Sequence, residues 1–227
     1  MTYSICVRER MDDRDETAWR FGVAAATRLP AVGSVCPHAS ANGAIATAGV
    51  TDAAVGERCL SALAEGRRLD DVLDALAAEE AATSRQIHGV DAEASAGRTG
   101  TDCPAAAGHV AGAGYTVAGT SMADEAVLDA LERGYRENER DAPLVYRLLT
   151  ALAAGERAGG DRRELPVGSA AVAVATTAAE PEPLYHDLRV DASDSPVVDL
   201  RETYRRAKRG YEAALEQYGR SDPDESV

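Results

Sequence analysis

The sequence predicts a single α/β domain in which two mostly antiparallel sheets lie face to face and helices cover both outer faces, a four-layer α/β/β/α sandwich. Groups of short apolar strands alternate along the chain with two pairs of amphipathic helices, and one long helix follows. The 227 residues suffice for one substantial core, which aliphatic side chains must fill because aromatic residues are only 4%. Residues 1–220 are expected to form this domain, and residues 221–227 a disordered acidic tail.

Three strands are predicted in the first fifty residues. Residues 2–8 have alternating β character, and residues 19–27 form a return strand that is apolar on both faces towards its end, which is typical of burial in a layered sheet. The charged segment 9–16 between them is expected to be an exposed hairpin loop. Residues 44–47 form the third strand, which follows a stretch punctuated by proline and glycine.

A first pair of helices follows the third strand. The first helix is predicted to start with Thr51 as its cap and with Asp52 complementing the helix dipole, and to end at Gly66. The second helix begins at Leu69, with apolar residues at helical spacing. Together the two helices are expected to cover one face of a sheet.

The second half of the chain repeats this order of strands followed by helices. The spacing of apolar residues predicts a hairpin at 84–91 and 93–99, a strand at 115–118, helices at 123–139 and 142–154, strands at 167–176 and 186–190, and an amphipathic helix at 196–219. Residues 100–114, rich in glycine and alanine and without periodicity, are the longest candidate functional loop. The apolar seam of the final helix faces either the domain or a second subunit, so a homodimer or higher homo-oligomer is expected.

The composition excludes several classes of partner. The net charge is −14, and Lys208 is the only lysine among 24 basic residues. Such an acid-rich, lysine-poor composition favours a high-salt cytoplasm and a halophilic source, although a high-GC genome also replaces lysine by arginine. No basic patch for nucleic acid or an anionic membrane is present. Residues 1–20 lack the apolar segment of a signal peptide, and the longest apolar run, 170–179, is too short to span a bilayer.

The cysteines and the known motifs indicate neither a metal nor a cofactor. Cys6, Cys36, Cys59 and Cys103 lack CxxC spacing, so reduced thiols and a cytoplasmic location are expected. Cys36 and His38 are of metal-ligating types, but their spacing is poor. The sequence has no glycine-rich dinucleotide or phosphate loop at a strand–helix turn, no HExxH and no GxSxG. We therefore expect no cofactor, and a small molecule as the partner.

Several segments resemble the N-terminal nucleophile (Ntn) hydrolase superfamily. Residues 22–28, GVAAATR, look like the second strand of proteasome-like proteins, and residues 46–53, ATAGVTDA, look like their strand-to-helix turn. Up to about residue 200 the chain more closely resembles an uncharacterised family of that superfamily, the domain of unknown function numbered 1028. The motifs of that family occur here in order: Thr2–Ile5, Arg28–Gly33, Thr99–Cys103, Ala107–His109, Ala158–Arg162 and Asp187–Asp191.

This resemblance implies a mechanism and a four-layer Ntn fold. Removal of Met1 would leave Thr2 with a hydroxyl nucleophile and an α-amine that acts as its base, since an α-amino group titrates near ~7.7–8.0. The N–H of Gly49 would stabilise the oxyanion, and Arg28 would keep the surroundings cationic and lower the pKa of the amine. The implied activity is hydrolysis of a small amide-type substrate.

The sequence also departs from the best-known relatives. Proteasome subunits carry an aspartate in place of Arg28 and use a lysine further on, whereas Lys208 lies in the last helix. Further substrate-binding candidates are polar residues of the motifs and loops, namely His38, Thr99, Cys103, His109 and Asp161. Two alternatives stay open: Thr2 is an ordinary strand residue, or the chain is a catalytically inactive scaffold of the same fold for ligand binding or assembly.

Overall fold

The structure is a computed structural model that describes residues 2–13, 16–50, 53–104, 106–139 and 141–218. Within these residues the chain forms ten antiparallel strands and five α-helices. The strands are β1 (Tyr3–Asp13), β2 (Glu16–Thr27), β3 (Pro37–Ser40), β4 (Gly43–Gly49), β5 (Arg85–Val90), β6 (Ser95–Thr99), β7 (Gly108–Gly112), β8 (Tyr115–Gly119), β9 (Gly168–Thr176) and β10 (Asp187–Ser193). The helices are α1 (Ala53–Ala64), α2 (Leu69–Ala77), α3 (Ala126–Arg136), α4 (Leu144–Arg157) and α5 (Pro196–Tyr218).

The strands form two sheets that face each other. One sheet has six strands in the order β10-β9-β2-β1-β8-β7, and the other has four in the order β3-β4-β5-β6. Cys6, Phe21 and Val23 of the first sheet form one apolar cluster with Ala46 and Val90 of the second. Several small alanines line this interface, as expected for a chain with few aromatic side chains.

Helices cover the outer face of each sheet. α3, α4 and α5 pack on the six-stranded sheet around a core that includes Ile5, Leu131 and Leu148. α1 and α2 pack on the four-stranded sheet around Ile45 and Leu73. A mixed α and β fold with two antiparallel sheets is therefore confirmed. None of the helices within the described ranges is long and apolar enough to cross a membrane.

Three strand predictions need correction. The predicted loop at 9–16 is wrong, because β1 continues to Asp13 and β2 starts at Glu16, with residues 14–15 outside the described ranges. The polar strands persist there because ion pairs hold their charges, such as that of Glu9 with Arg147. The predicted loop 100–114 contains β7, and β3 was not predicted at all. Both are short edge strands built from small or polar residues, so neither shows clear hydrophobic alternation.

The predicted helices are present, with small shifts at their ends. The predicted cap at Thr51 and Asp52 lies outside the described residues. Gly66 ends α1 as predicted: its φ is +81°, and its N–H donates to the Leu63 carbonyl. Only the first half of α5 is buried, and Tyr218 near its end is 69% exposed.

Candidate functional site at the start of the first strand

Thr2 lies directly before β1, the strand between β2 and β8 in the six-stranded sheet, and is 6% exposed. In β1 the side chain of Tyr3 packs beneath the helices, whereas Ser4 hydrogen-bonds His88 of the other sheet. Side chains alternate along a strand, so that of Thr2 belongs to the face between the sheets. The register that pairs Tyr3 with Ala26 places Thr2 opposite Thr27 at its next step.

Asp161 organises the polar groups around Thr27. It follows Gly159 and Gly160, whose positive φ angles form the turn after α4. Its Oδ2 accepts hydrogen bonds from the Arg28 backbone N–H at 2.8 Å and from the Thr27 hydroxyl at 3.2 Å. Asp161 is therefore a buried acceptor at the end of β2.

Arg163 completes this group of residues. Its guanidinium forms an ion pair with Asp161, with Nε 3.0 Å from Oδ1, and its Nη2 donates to the Thr27 hydroxyl oxygen at 2.8 Å. Burial raises the pKa of the Asp161 carboxyl, but the hydrogen bonds from Arg163 and from the Arg28 N–H outweigh burial and lower it overall. Asp161 is thus ionised at neutral pH. We call Thr27, Asp161 and Arg163 the Asp161 cluster.

Arg28 and Arg163 differ in where their charges lie. The Arg28 guanidinium donates to the Asp194 carbonyl at 3.1 Å. Strand alternation places its side chain on the helix-covered side, with Tyr3 and Glu156 around a cavity of about 60 Å³. Arg28 therefore contributes its backbone N–H to the Asp161 cluster, and Arg163 contributes the guanidinium. Arg163 was not among the predicted site residues, although it directly follows the Ala158–Arg162 motif.

Gly49 ends β4 with a φ of +80°, and a Cβ at this position would collide with the Ser84 carbonyl oxygen. The Val50 N–H donates to the same carbonyl at 2.9 Å, so Val50 and Ser84 are a hydrogen-bonded pair and the neighbouring Gly49 and Arg85 are a non-bonded pair. Hydrogen-bonded and non-bonded pairs alternate in an antiparallel ladder, so the Gly49 N–H points away from β5. Its orientation suits a donor to an external oxygen.

Gln86 joins both sheets near the Thr2 end of β1. It is 1% exposed, and its Nε2 lies 3.0 Å from the Gly119 carbonyl, 2.9 Å from the Gly108 carbonyl and 2.9 Å from the Thr99 hydroxyl. The Thr99 hydroxyl is also 2.9 Å from Nδ1 of His109. The structure thus brings two of the predicted site residues, Thr99 and His109, into direct contact, and Gln86, which was not among the predicted site residues, holds Thr99.

A second group of hydrogen bonds joins the two sheets at Ser4, two residues after Thr2. The ring of His88 is within 2.8 Å of the hydroxyls of both Ser4 and Thr116. Burial, and then the nearby His109, lowers the pKa of His88 to about 3, so its ring is neutral. This network fixes the strand that carries Thr2.

Of the two remaining predicted site residues, His38 lies elsewhere, whereas Cys103 follows β6, the strand that ends at Thr99. His38 pairs with Ile45 in the four-stranded sheet and packs on Gly56 of α1, on the helix-covered face away from Thr2. Cys103 lies in the turn after β6, where its N–H donates to the Gly100 carbonyl at 3.2 Å, and burial raises the pKa of its thiol. In the part of the chain that the structure describes, no group of three His, Cys, Asp or Glu side chains is arranged to hold a metal ion.

Comparisons with other proteins place this chain in a family. A structural comparison finds the crystal structure of protein SPO2555 from Silicibacter pomeroyi, described as a member of family DUF1028. The TM-score is 0.76 at 27% sequence identity, over 91% of this chain and 89% of that one. A search of curated proteins found no match. The model of DUF1028, a family of unknown function, matches residues 2–200, and the chain therefore belongs to that family.

Proposed function

We propose that the chain is an N-terminal-nucleophile amidohydrolase and that its stacked sheets and flanking helices are the four-layer α/β/β/α sandwich of that superfamily. Thr2 becomes the nucleophile once the peptide bond between Met1 and Thr2 is cleaved. One observation carries the proposal: Thr2 belongs to the face between the sheets at the start of β1, opposite a threonine hydroxyl held by an ionised carboxylate and a guanidinium.

The proposed reaction needs no group beyond the substrate, water and the protein. The α-amine of Thr2 takes the proton of its own hydroxyl while Oγ attacks the amide carbonyl carbon. The resulting tetrahedral oxyanion accepts a hydrogen bond from the Gly49 N–H. The protonated amine gives its proton to the leaving nitrogen, and an ester to Thr2 remains. Water, activated by the same amine, hydrolyses this ester and restores the site.

We propose that the Asp161 cluster positions the α-amine of Thr2 and adds almost no net charge beside it. Asp161 and Arg163 form an ion pair, so their charges nearly cancel next to Thr27. The cluster therefore adds little net charge beside the α-amine, which is available as a base once it has lost its proton. The Thr27 hydroxyl, fixed between the two charged groups, hydrogen-bonds the amine and orients it. In this proposal the guanidinium beside Thr27 belongs to Arg163 and not to Arg28, and it orients the amine instead of lowering its pKa, the role expected of Arg28.

Mass spectrometry of the intact protein and labelling by a hydroxyl-directed β-lactone test this proposal. We expect a mass without Met1 and one added acyl group on Thr2, located by peptide mapping. Thr2→Ala should abolish labelling, whereas Cys103→Ala should retain it. A retained Met1 with an unlabelled Thr2 contradicts the proposal and favours the inactive scaffold.

The composition supports a proposal about the protein's surroundings. With a net charge of −14 and one lysine, the surface suits a salt-rich cytoplasm, where counterions screen repulsion between carboxylates. A midpoint of thermal unfolding that rises between 0.1 M and about 2 M KCl is the expected result. A midpoint that is unchanged by salt would favour genome composition as the reason for the missing lysines.

A further inference from the structure

Three buried polar side-chain atoms near the Thr2 end of the sheets have no hydrogen-bond partner among the residues described: Gln86 Oε1, Thr120 Oγ1 and Ser121 Oγ. Gln86 is 1% exposed, and the other two residues are fully buried. A buried polar atom without a partner is unfavourable in a folded protein, and such atoms are rare. Three of them in one small region therefore call for a functional explanation.

The three residues are neighbours in space. Gln86 Nε2 binds the Gly119 carbonyl at 3.0 Å, and Thr120 and Ser121 directly follow Gly119. The Thr120 N–H donates to the Thr2 carbonyl at 2.9 Å, so the segment lies against the proposed nucleophile.

The side chain of Thr120 belongs to the space between the sheets. Thr116 of β8 hydrogen-bonds His88 of the other sheet. β8 ends at Gly119, and the hydrogen bond from the Thr120 N–H to the Thr2 carbonyl continues its pairing with the start of β1 by one residue, so alternation carries the same face to Thr120. Ser121 has a φ of +49°, in the left-handed region that non-glycine residues seldom adopt and that is often found at binding sites.

The orientation of the Gln86 amide determines what the region can bind. Its nitrogen faces two backbone carbonyls, of Gly108 and Gly119, and a carbonyl oxygen only accepts hydrogen bonds. The unpartnered end is therefore an acceptor, and it requires a donor from a ligand. The two hydroxyls both accept and donate, so the three atoms together suit a group that carries N–H, as a carboxamide or ureido group does.

We propose that Gln86, Thr120 and Ser121 form a substrate subsite that binds an N–H group one or two atoms from the carbonyl attacked by Thr2. The substrate class is then an N-acylamino or ureido compound rather than a simple aliphatic amide. The inference rests on the proposed function, because Thr2 defines where the reacting carbonyl lies. A site built to bind an N–H discriminates strongly against an analogue that lacks it, since its own buried groups are then left unpaired.

Two esters that differ in a single N–H test the subsite: methyl N-acetylglycinate and methyl 4-oxopentanoate, in which CH₂ replaces the N–H. Binding is measured by NMR titration of the Thr2→Ala protein, so that no turnover occurs. The glycinate is expected to bind at least ~10-fold more tightly. Adding Thr120→Val or Ser121→Ala should reduce this ratio by at least about threefold. Equal binding of the two esters, or a ratio that neither substitution changes, overturns the subsite.

Thr116→Val is the matched control. It makes the same chemical change on the same face, but it removes a hydroxyl that has a partner in His88. We expect it to lower the unfolding midpoint and to leave the binding ratio unchanged. Thr120→Val should keep or raise the midpoint, because the hydroxyl that it removes has no described partner. A large loss of midpoint in Thr120→Val would show that this hydroxyl serves the fold and would overturn the proposal.

The outcomes separate this inference from the proposed function. If the β-lactone acylates Thr2 but the two esters bind equally, the subsite is wrong and the proposed function stands. If Thr2 is never acylated but the N–H preference persists and depends on Thr120, the subsite is a ligand site without the proposed chemistry.

Discussion

Asp161→Asn tests the best-connected carboxylate of the candidate site. The substitution keeps the size of the side chain but removes its charge, and it can place an NH₂ group against the donors of Arg163 and the Arg28 N–H. Removing one partner of a buried ion pair costs ~3–5 kcal/mol. The side chain of Arg163 is 18% exposed and can regain some hydration, so we expect a loss at the lower end, about 3 kcal/mol.

The assay is urea denaturation of both proteins between pH 3 and pH 7. Because the pKa of Asp161 is lowered by folding, its stabilisation is fully present above its ordinary pKa and is lost as the pH falls through the folded value. The difference between wild type and Asp161→Asn should therefore shrink on acidification. The midpoint of thermal unfolding at pH 7 should fall by about 6–12 °C.

Asp191→Asn provides a matched control, because Asp191 also pairs with an arginine two residues away. Asp191 and Arg189 are 52% and 44% exposed, and exposed pairs contribute below ~1 kcal/mol. Equal, small losses in the two variants would refute the view that Asp161 is a buried organiser of this site. The rate of Thr2 acylation should also fall in Asp161→Asn, by about tenfold or more, because Thr27 loses its acceptor.

Three further predictions concern stability. The free energy of unfolding should fall by about 2 kcal/mol from pH 7 to pH 5, because His88 gains a proton in the unfolded chain but stays neutral in the folded protein until about pH 3. The variant His88→Gln should lack this part of the pH dependence. Ser169→Ala should cost ~1–3 kcal/mol in urea denaturation, because its buried hydroxyl donates to the Leu29 carbonyl and accepts a backbone N–H. Gly49→Ala should cost ~1–3 kcal/mol through the positive φ and the collision with Ser84, and a thermal midpoint equal to that of the wild type would contradict this.

The sequence predicted the buried elements of the fold well, because hydrophobic periodicity reports burial directly. α2, β9 and the hairpin of β5 and β6 lie close to their predicted places. The edge strands β3 and β7 were missed, since backbone hydrogen bonds define them more than their side chains do. The end of β1 and the start of β2 were missed because their residues are charged, and a charged composition predicts a loop. Ion pairs stabilise these charged residues within the strands.

The candidate site was only partly visible in the sequence. Thr2, Gly49 and Asp161 were named from motifs that resemble a family. Arg163 and Gln86 could be found only in three dimensions, because their partners lie 13 to 136 residues away or depend on a turn at Gly159 and Gly160. The direction of the Arg28 side chain also depends on strand register, which a motif does not encode.

The most direct test of the central claim is the state and reactivity of Thr2 in the purified protein. Mass spectrometry of the intact protein and peptide mapping after treatment with a β-lactone measure both. We expect a chain that begins at Thr2, carries one acyl group on that residue, and is labelled faster as the pH rises and the α-amine loses its proton. A chain that keeps Met1, or a Thr2→Ala protein that is labelled as fast as the wild type, would contradict this claim.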